Sequence, residues 1–306
     1  LFRAVRRRSF GRSPQLVATG LFDFPRLRKG AGMGWFGRKG TVAMLGLACL
    51  PSMAMAVGKC ERLVVTGSPD APPYSWRDPQ DPRHLIGANV ELLQQIGSEL
   101  GLKIEVLYAG KRSDAQAEVR SGRMDLLVDA PMAVAELTAL DYIHPPVLQN
   151  EYLVWTRHDA ALAYENLADL HQHQGAISEK ARLTPEFEAF SKTELKLTHV
   201  PNLTQAFQKL LLGQVDYVLA GRYAGMAMAQ SLGMANDLIA RGLPLDRPGL
   251  YLALSHNSAC NDAWLRGQLA KKLTELPASG VAQEVLQRNI ERWQAQLQAP
   301  LDAPKQ

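Results

Sequence analysis

Ser121-Gly122-Arg123-Met124-Asp125-Leu126-Leu127-Val128 and Leu212-Gly213-Gln214-Val215-Asp216-Tyr217-Val218-Leu219 are the two stretches on which the fold turns. Each has a Gly, two further residues, an Asp and an apolar run, and each follows a segment with helical periodicity. A glycine at the end of a helical pattern is a stop signal, and a short apolar run beyond it reads as a buried strand. One helix–Gly–x–x–Asp–strand unit thus occurs twice.

The flanking sequence extends the pattern. Leu63–Thr66 is an apolar run ending in Gly67-Ser68-Pro69-Asp70, a strand followed by a loop. Asn89 is placed to cap a helix whose Val90, Leu93, Ile96 and Leu100 share one face, with Gly101 as its stop. Leu102–Leu107 alternates as a strand, Ser113 can cap the next helix, and Met124–Val128 is the strand after it. In the second half Leu195–Val200 and Val215–Leu219 read as strands. Between them Asn202 with Gln205 resembles a capping box, and Leu203, Phe207, Leu210 and Leu211 form an apolar face. The alternation predicts parallel sheets covered by helices, with right-handed connections. The duplicated unit favours two α/β lobes over one doubly wound sheet. Open α/β sheets bind ligands at the carboxyl ends of their strands, so two facing lobes predict a cleft between them.

A chain of 306 residues has room for about two domains. With 46% apolar and 21% charged residues, it has the composition of a globular protein. No apolar run reaches the roughly 18 residues of a spanning helix. Residues 1–56 hold ten of the 34 Lys and Arg and one of the 30 Asp and Glu, leaving 24 basic and 29 acidic residues in the remainder. The body of the chain is mildly acidic, which excludes a polyanion-binding footprint and argues against a nucleic-acid partner.

Residues 1–56 read as a leader. From Met33 come Arg38-Lys39, an apolar stretch from Val42 to Leu50, Pro51, and the small residues of Ala54-Met55-Ala56. That order is a secretory signal over residues 33–56 with cleavage after Ala56, and residues 1–32 read as an upstream extension. Gly46-Leu47-Ala48 before Cys49 lacks the branched apolar residue of a lipidation site. Export removes Cys49 and leaves Cys60 and Cys260, an even pair in an oxidising compartment.

Three blocks then stand in a specific order: Asp70-Ala71-Pro72-Pro73-Tyr74-Ser75-Trp76, Gly87-Ala88-Asn89-Val90-Glu91-Leu92 and Ser121–Asp125. With Leu140–Pro146, Leu167–Leu170 and Ala278-Ser279-Gly280 through Trp293, they resemble the family 3 extracellular solute-binding proteins, the periplasmic receptors of polar amino-acid ABC transporters. The resemblance covers nearly all of residues 61–296. It implies a periplasmic-binding-protein type II clamshell of α/β class, two lobes joined by two crossovers. Lobe one would be 61–147 plus 250–296, and lobe two 152–243. The crossovers would lie near Leu148–Glu151 and Leu243–Gly249, and closure about hinge residues would trap a ligand. Cys60 precedes the first strand of lobe one at the edge away from the cleft. The returning strand, Gly249–Leu254, would run antiparallel and bring Cys260 to that edge, which predicts a Cys60–Cys260 disulfide.

The ligand groups depart from the family. An amino-acid receptor places an aromatic before the Pro pair, a lobe-one Arg on the α-carboxylate, a lobe-two Asp on the α-ammonium and an aromatic before the second helix. Those places fall on Ala71, Leu137, Gly221 and Arg112. The resemblance therefore implies a small polar organic ligand other than a plain α-amino acid. Its candidate contacts are Tyr74 and Trp76 after the Pro pair, with Trp76 equally readable as lobe packing. Arg112 precedes a helix, where a solvated loop charge is the competing reading. Asp129 stands on the cleft-facing edge, where an unpaired acid is costly to desolvate. In lobe two, Ser178, Lys180 and Arg182 follow the first strand, and Arg222 with Tyr223 follow Leu219-Ala220-Gly221.

Catalysis has little support. The seven His show no metal-ligand spacing, and nucleophile elbows and phosphate loops are missing. The expected protein is a periplasmic, monomeric solute-binding protein without cofactor or metal, serving an ABC permease in the inner membrane. A cyclohexadienyl dehydratase-like enzyme and a soluble partner of a membrane signalling receptor are the alternatives.

Overall fold

The protein is described by a computed structural model over residues 60–160, 162 and 164–298. The leader, the signal segment 33–56 and the cleavage after Ala56 lie outside the described residues.

Lobe one begins with β1 (Arg62–Thr66) and a small three-stranded sheet of β2 (Asp70–Ala71), β3 (Ser75–Arg77) and β4 (Leu85–Ile86). Then follow α1 (Ala88–Leu100), β5 (Lys103–Val106), α2 (Arg112–Arg120), β6 (Leu126–Pro131) and β7 (Leu140–Gln149). Lobe two holds β8 (Tyr152–Arg157), β9 (Gln174–Ser178), α3 (Pro185–Glu194), β10 (Lys196–Val200) and α4 (Leu203–Leu211). It ends with β11 (Tyr217–Gly221), α5 (Arg222–Ser231) and β12 (Leu238–Asp246). The chain then returns to lobe one through β13 (Gly249–Ser255), α6 (Ala263–Ser279) and α7 (Val281–Gln298).

The strand orders are β5-β1-β6-β13-β7 and β10-β9-β11-β8-β12. The two sheets are mixed rather than purely parallel. β13 runs antiparallel to β6 and β7, as expected of the returning strand, while β8, antiparallel to β11 and β12, departs from the alternation. The reason is the crossovers. A strand that enters a lobe from the cleft side must run against strands whose carboxyl ends already point there.

The duplicated unit has a common physical cause. Asp125 N–H donates to Val64 O at 2.7 Å while Asp125 Oδ2 accepts from Val64 N–H at 2.7 Å. Asp216 does the same to Gln174, at 2.7 and 2.8 Å. Each Asp thus locks the start of its strand to the neighbouring strand. Gly122 and Gly213 precede them at φ 78° and 67°, the left-handed turn that releases the chain from its helix.

Each sheet buries its own core. Val90, Leu93 and Ile96 of α1 pack with Leu63 and Val65 of β1 in lobe one. Phe207 and Leu210 of α4 pack with Trp155 and Val218 in lobe two. Burying one such side chain contributes roughly 1.5–3 kcal/mol. Two caps differ from expectation. Asn89 lies inside α1, which starts from Gly87, because its Nδ2–H is needed across the core by Val128 O at 3.0 Å. Lys111 rather than Ser113 precedes α2, where Asp114 Oδ2 accepts from the Lys111 N–H at 3.0 Å. Asn202 does cap α4, accepting from Gln205 N–H at 2.9 Å. Cys60 and Cys260 form a disulfide with their Cα atoms 5.4 Å apart.

Candidate functional site

The two crossovers lie side by side, with Gln149 paired to Gly249 and Asn150 N–H donating to Pro248 O at 2.9 Å. Beside them is a cavity of about 90 Å³ lined from both lobes. Lobe one presents Tyr74, Arg112 and Asp129, the crossover presents Asn150, and lobe two presents Tyr152, Lys180 and Arg182.

Asp129 belongs to β6 and is 3% exposed. Both its carboxylate oxygens accept from the Ser68 N–H at 3.1 Å, at the turn after β1. Arg112 is the first residue of α2, and a smaller pocket joins it to Asp129, Gly67 and Ser68. Across the cleft, the loop after β9 folds so that Lys180 N–H donates to Ser178 Oγ at 3.2 Å. Arg182 Nη1 donates to Ala181 O at 2.9 Å and more weakly to Glu179 O at 3.4 Å. The backbone N–H of Arg182 donates to Tyr152 Oη at 3.0 Å.

The two tyrosines are neutral hydrogen-bonding groups. Burial pushes the Tyr74 phenol far above its ordinary pKa, and its Oη–H donates to Gln149 O in the crossover at 3.0 Å. Burial also raises Tyr152, while the Arg182 N–H and the charges of Arg112 and Arg182 pull it the other way. Tyr152 therefore feels a guanidinium charge from each lobe.

Five of the ligand contacts expected from the sequence line this cavity: Tyr74, Arg112, Asp129, Lys180 and Arg182. Four do not. Trp76 is buried in lobe one, where its Nε1–H donates to Gln296 Oε1 at 3.0 Å. Ser178 is occupied with shaping its own loop. Arg222 is turned to the crossover, its Nε donating to Glu151 Oε2 at 2.8 Å, and Arg247 adds a second cation 3.6 Å from the same carboxylate. Tyr223 stands edge-on to Tyr74 with ring centroids 5.7 Å apart, a contact between the lobes. Leu137 is 48% exposed on a short 3-10 turn, and Gly221 precedes α5, so neither is replaced by a charge at its own place.

Asn150 and Tyr152 were missed by sequence reasoning, since crossover residues carry no motif. The one signal for Tyr152 is that it opens the first lobe-two strand directly at the hinge. Among the described residues, no three of His, Cys, Asp or Glu come together as a metal site.

Two α/β lobes, two adjacent crossovers and a cavity lined from both sides define the type II periplasmic-binding-protein class. The family model of bacterial extracellular solute-binding proteins, family 3, matches residues 63–292, and the chain belongs to that family. Its members capture solutes between their lobes, and this chain is a solute-binding protein.

Solved structures share the fold. A histidine kinase sensor domain with similarity to periplasmic binding proteins has a TM-score of 0.56 at 23% identity, covering 75% of this chain and 96% of that one. An ancestral arginine-binding protein bound to arginine gives 0.54 at 18%, covering 75% and 98%. The amino acid ABC transporter substrate-binding protein AbpA from Streptococcus pneumoniae, bound to L-arginine, gives 0.53 at 19%, covering 76% and 95%. No curated protein sequence matches the chain.

Proposed function

We propose that this protein binds a small polar organic ligand in the periplasm, as a monomer, and delivers it to an ABC permease of the inner membrane without converting it. The observation that carries the reading is the cavity of about 90 Å³ to which both lobes contribute charged side chains beside paired crossovers. A ligand held from both sides favours the closed arrangement by its differential affinity for it. Tyr74, Arg112, Asp129, Lys180 and Arg182 are the ligand contacts in this reading, joined by Asn150 and Tyr152. Lobe one comprises 61–147 plus 250–296, and lobe two 152–243. Secretion proceeds by cleavage after Ala56, so intact mass should begin at Val57, and a chain retaining residues 33–56 would contradict it.

Thermal-shift titration of the full chain tests the binding. A ligand at 100 times its Kd adds about 2.7 kcal/mol of stability. Recovery of the ligand unchanged supports capture, and its conversion would instead support the dehydratase alternative. The shared fold of a histidine kinase sensor domain is what favours a sensory reading. Pull-down of a membrane receptor domain by the ligand-loaded protein, in place of a permease, would establish it.

A further inference from the structure

The charges in the cavity are not balanced. Arg112, Lys180 and Arg182 line it, and Asp129 is the one acid that does. Among the described residues, none of the three cations has a carboxylate within 4.0 Å. Glu151, the acid at the crossover, is already occupied by Arg222 and Arg247. The lining therefore has an excess of two positive charges.

The arrangement of those charges narrows the chemistry. Arg112 belongs to lobe one, and Lys180 and Arg182 to lobe two. All three line the same cavity, so their charges act on one another and on anything between them. An arginine-like cation would meet three like charges there and one acid. A guanidinium offers a planar fork that matches a carboxylate through two hydrogen bonds. Asp129 adds a second requirement. It is buried and takes a single N–H, from Ser68, so a carboxylate with room for about four donors keeps most of its capacity open.

We propose that the cleft selects a small organic diacid bearing a hydrogen-bond donor, one carboxylate held by Arg112 and the other by Lys180 and Arg182, with the donor on Asp129. The inference rests on reading this cavity as the ligand site. Such a ligand bridges the lobes by its own length. A monoanion satisfies one lobe and leaves the other's cations unpaired.

The test is calorimetry of the full chain at fixed ionic strength with L-malate, succinate, L-lactate, L-alanine, L-arginine and putrescine. L-Malate should bind at least about tenfold tighter than L-lactate, and tighter than L-arginine or putrescine. The double substitution Lys180→Gln with Arg182→Gln removes only exposed charges, and it should weaken L-malate at least about tenfold while changing L-lactate less. Asp129→Asn keeps an acceptor for Ser68 N–H and should narrow the preference for L-malate over succinate. Tightest binding by L-arginine or putrescine, equal binding of L-lactate and L-malate, or binding by no member of the panel would each overturn the diacid inference and leave the solute-binding reading standing. An unaffected double variant with L-malate still bound would overturn both the diacid inference and the assignment of this cavity as the ligand site.

Discussion

Replacing Cys60 and Cys260 together with Ser measures how far the fold depends on its covalent closure. The bond joins residues 200 apart, with Cα atoms 5.4 Å from one another, inside the range a disulfide spans. On the chain-entropy model, a closed loop of about 200 residues lowers the unfolded-state entropy by about 18 cal/mol/K, which is about 5 kcal/mol at 25 °C. For a chain of this size that corresponds to roughly 10–20 °C in Tm. The new hydroxyls would not be stranded, since both sulfurs lie within reach of Arg62 O, at 3.1 and 3.4 Å.

Urea melts of the parent and the variant, with and without reductant, provide the assay. The variant midpoint should fall and its m-value rise, because an unclosed denatured chain exposes more surface. Ligand affinity should not change. β1 separates the bond, beside Arg62, from the turn at Gly67-Ser68 that meets Asp129. Coincident melts would refute the loop-closure reasoning. A shifted Kd would show that the two ends of the sheet are coupled.

Asp125→Ala should lower stability by about 1–3 kcal/mol, since it strips the acceptor from Val64 N–H and from Ser258 Oγ–H; Asp216→Ala should cost less, about 0.5–1.5 kcal/mol, because the freed Gln174 N–H is exposed to water, and urea midpoints check both. Gly225→Val places a Cβ 2.3 Å from Trp155 Cε2 in the lobe-two core, and overpacking should cost about 1–3 kcal/mol, visible in tryptophan fluorescence melts. The Asp81 carboxyl is held at about 2, below its ordinary 3.8, chiefly by the Arg83 side chain. Its folded pKa is depressed, so its support of the Asp81–His84 turn is complete above the ordinary carboxylate range and lost as pH falls through about 2. An NMR titration with its inflection at the ordinary value would contradict this.

The lobes were legible because their signals are local. The Gly–x–x–Asp unit, the apolar stripe of α4 and the Asn202 cap each act within one helix and the next strand. The antiparallel run of β13 follows once the return crossover is placed, but the direction of β8 was not local. It depends on where the chain enters lobe two, which no residue in that strand encodes. The misplaced caps have the same origin. Asn89 is a good capping residue by type, yet Val128 O, 39 residues away, takes its amide. Tertiary demand for one hydrogen bond overrode a local preference.

Charge in the site divides along the same line. Lys180, Arg182 and Arg112 could be placed on the cleft because each follows a strand end or opens a helix, and a sheet's carboxyl edge is where α/β lobes meet ligand. Arg222 satisfies that rule equally well, at the first position of α5 after β11. What occupies it is Glu151, 71 residues earlier, which takes both its Nε and Nη2 at 2.8 Å. A paired cation at the crossover is engaged within the chain, and an unpaired one in the cavity is the candidate for a ligand contact. Position alone cannot separate the two roles, because the difference is made entirely by whether an acid from a distant part of the chain arrives beside the cation. Arg112, Lys180 and Arg182 have no such neighbour within 4.0 Å among the described residues, and that difference is what the diacid proposal is built on.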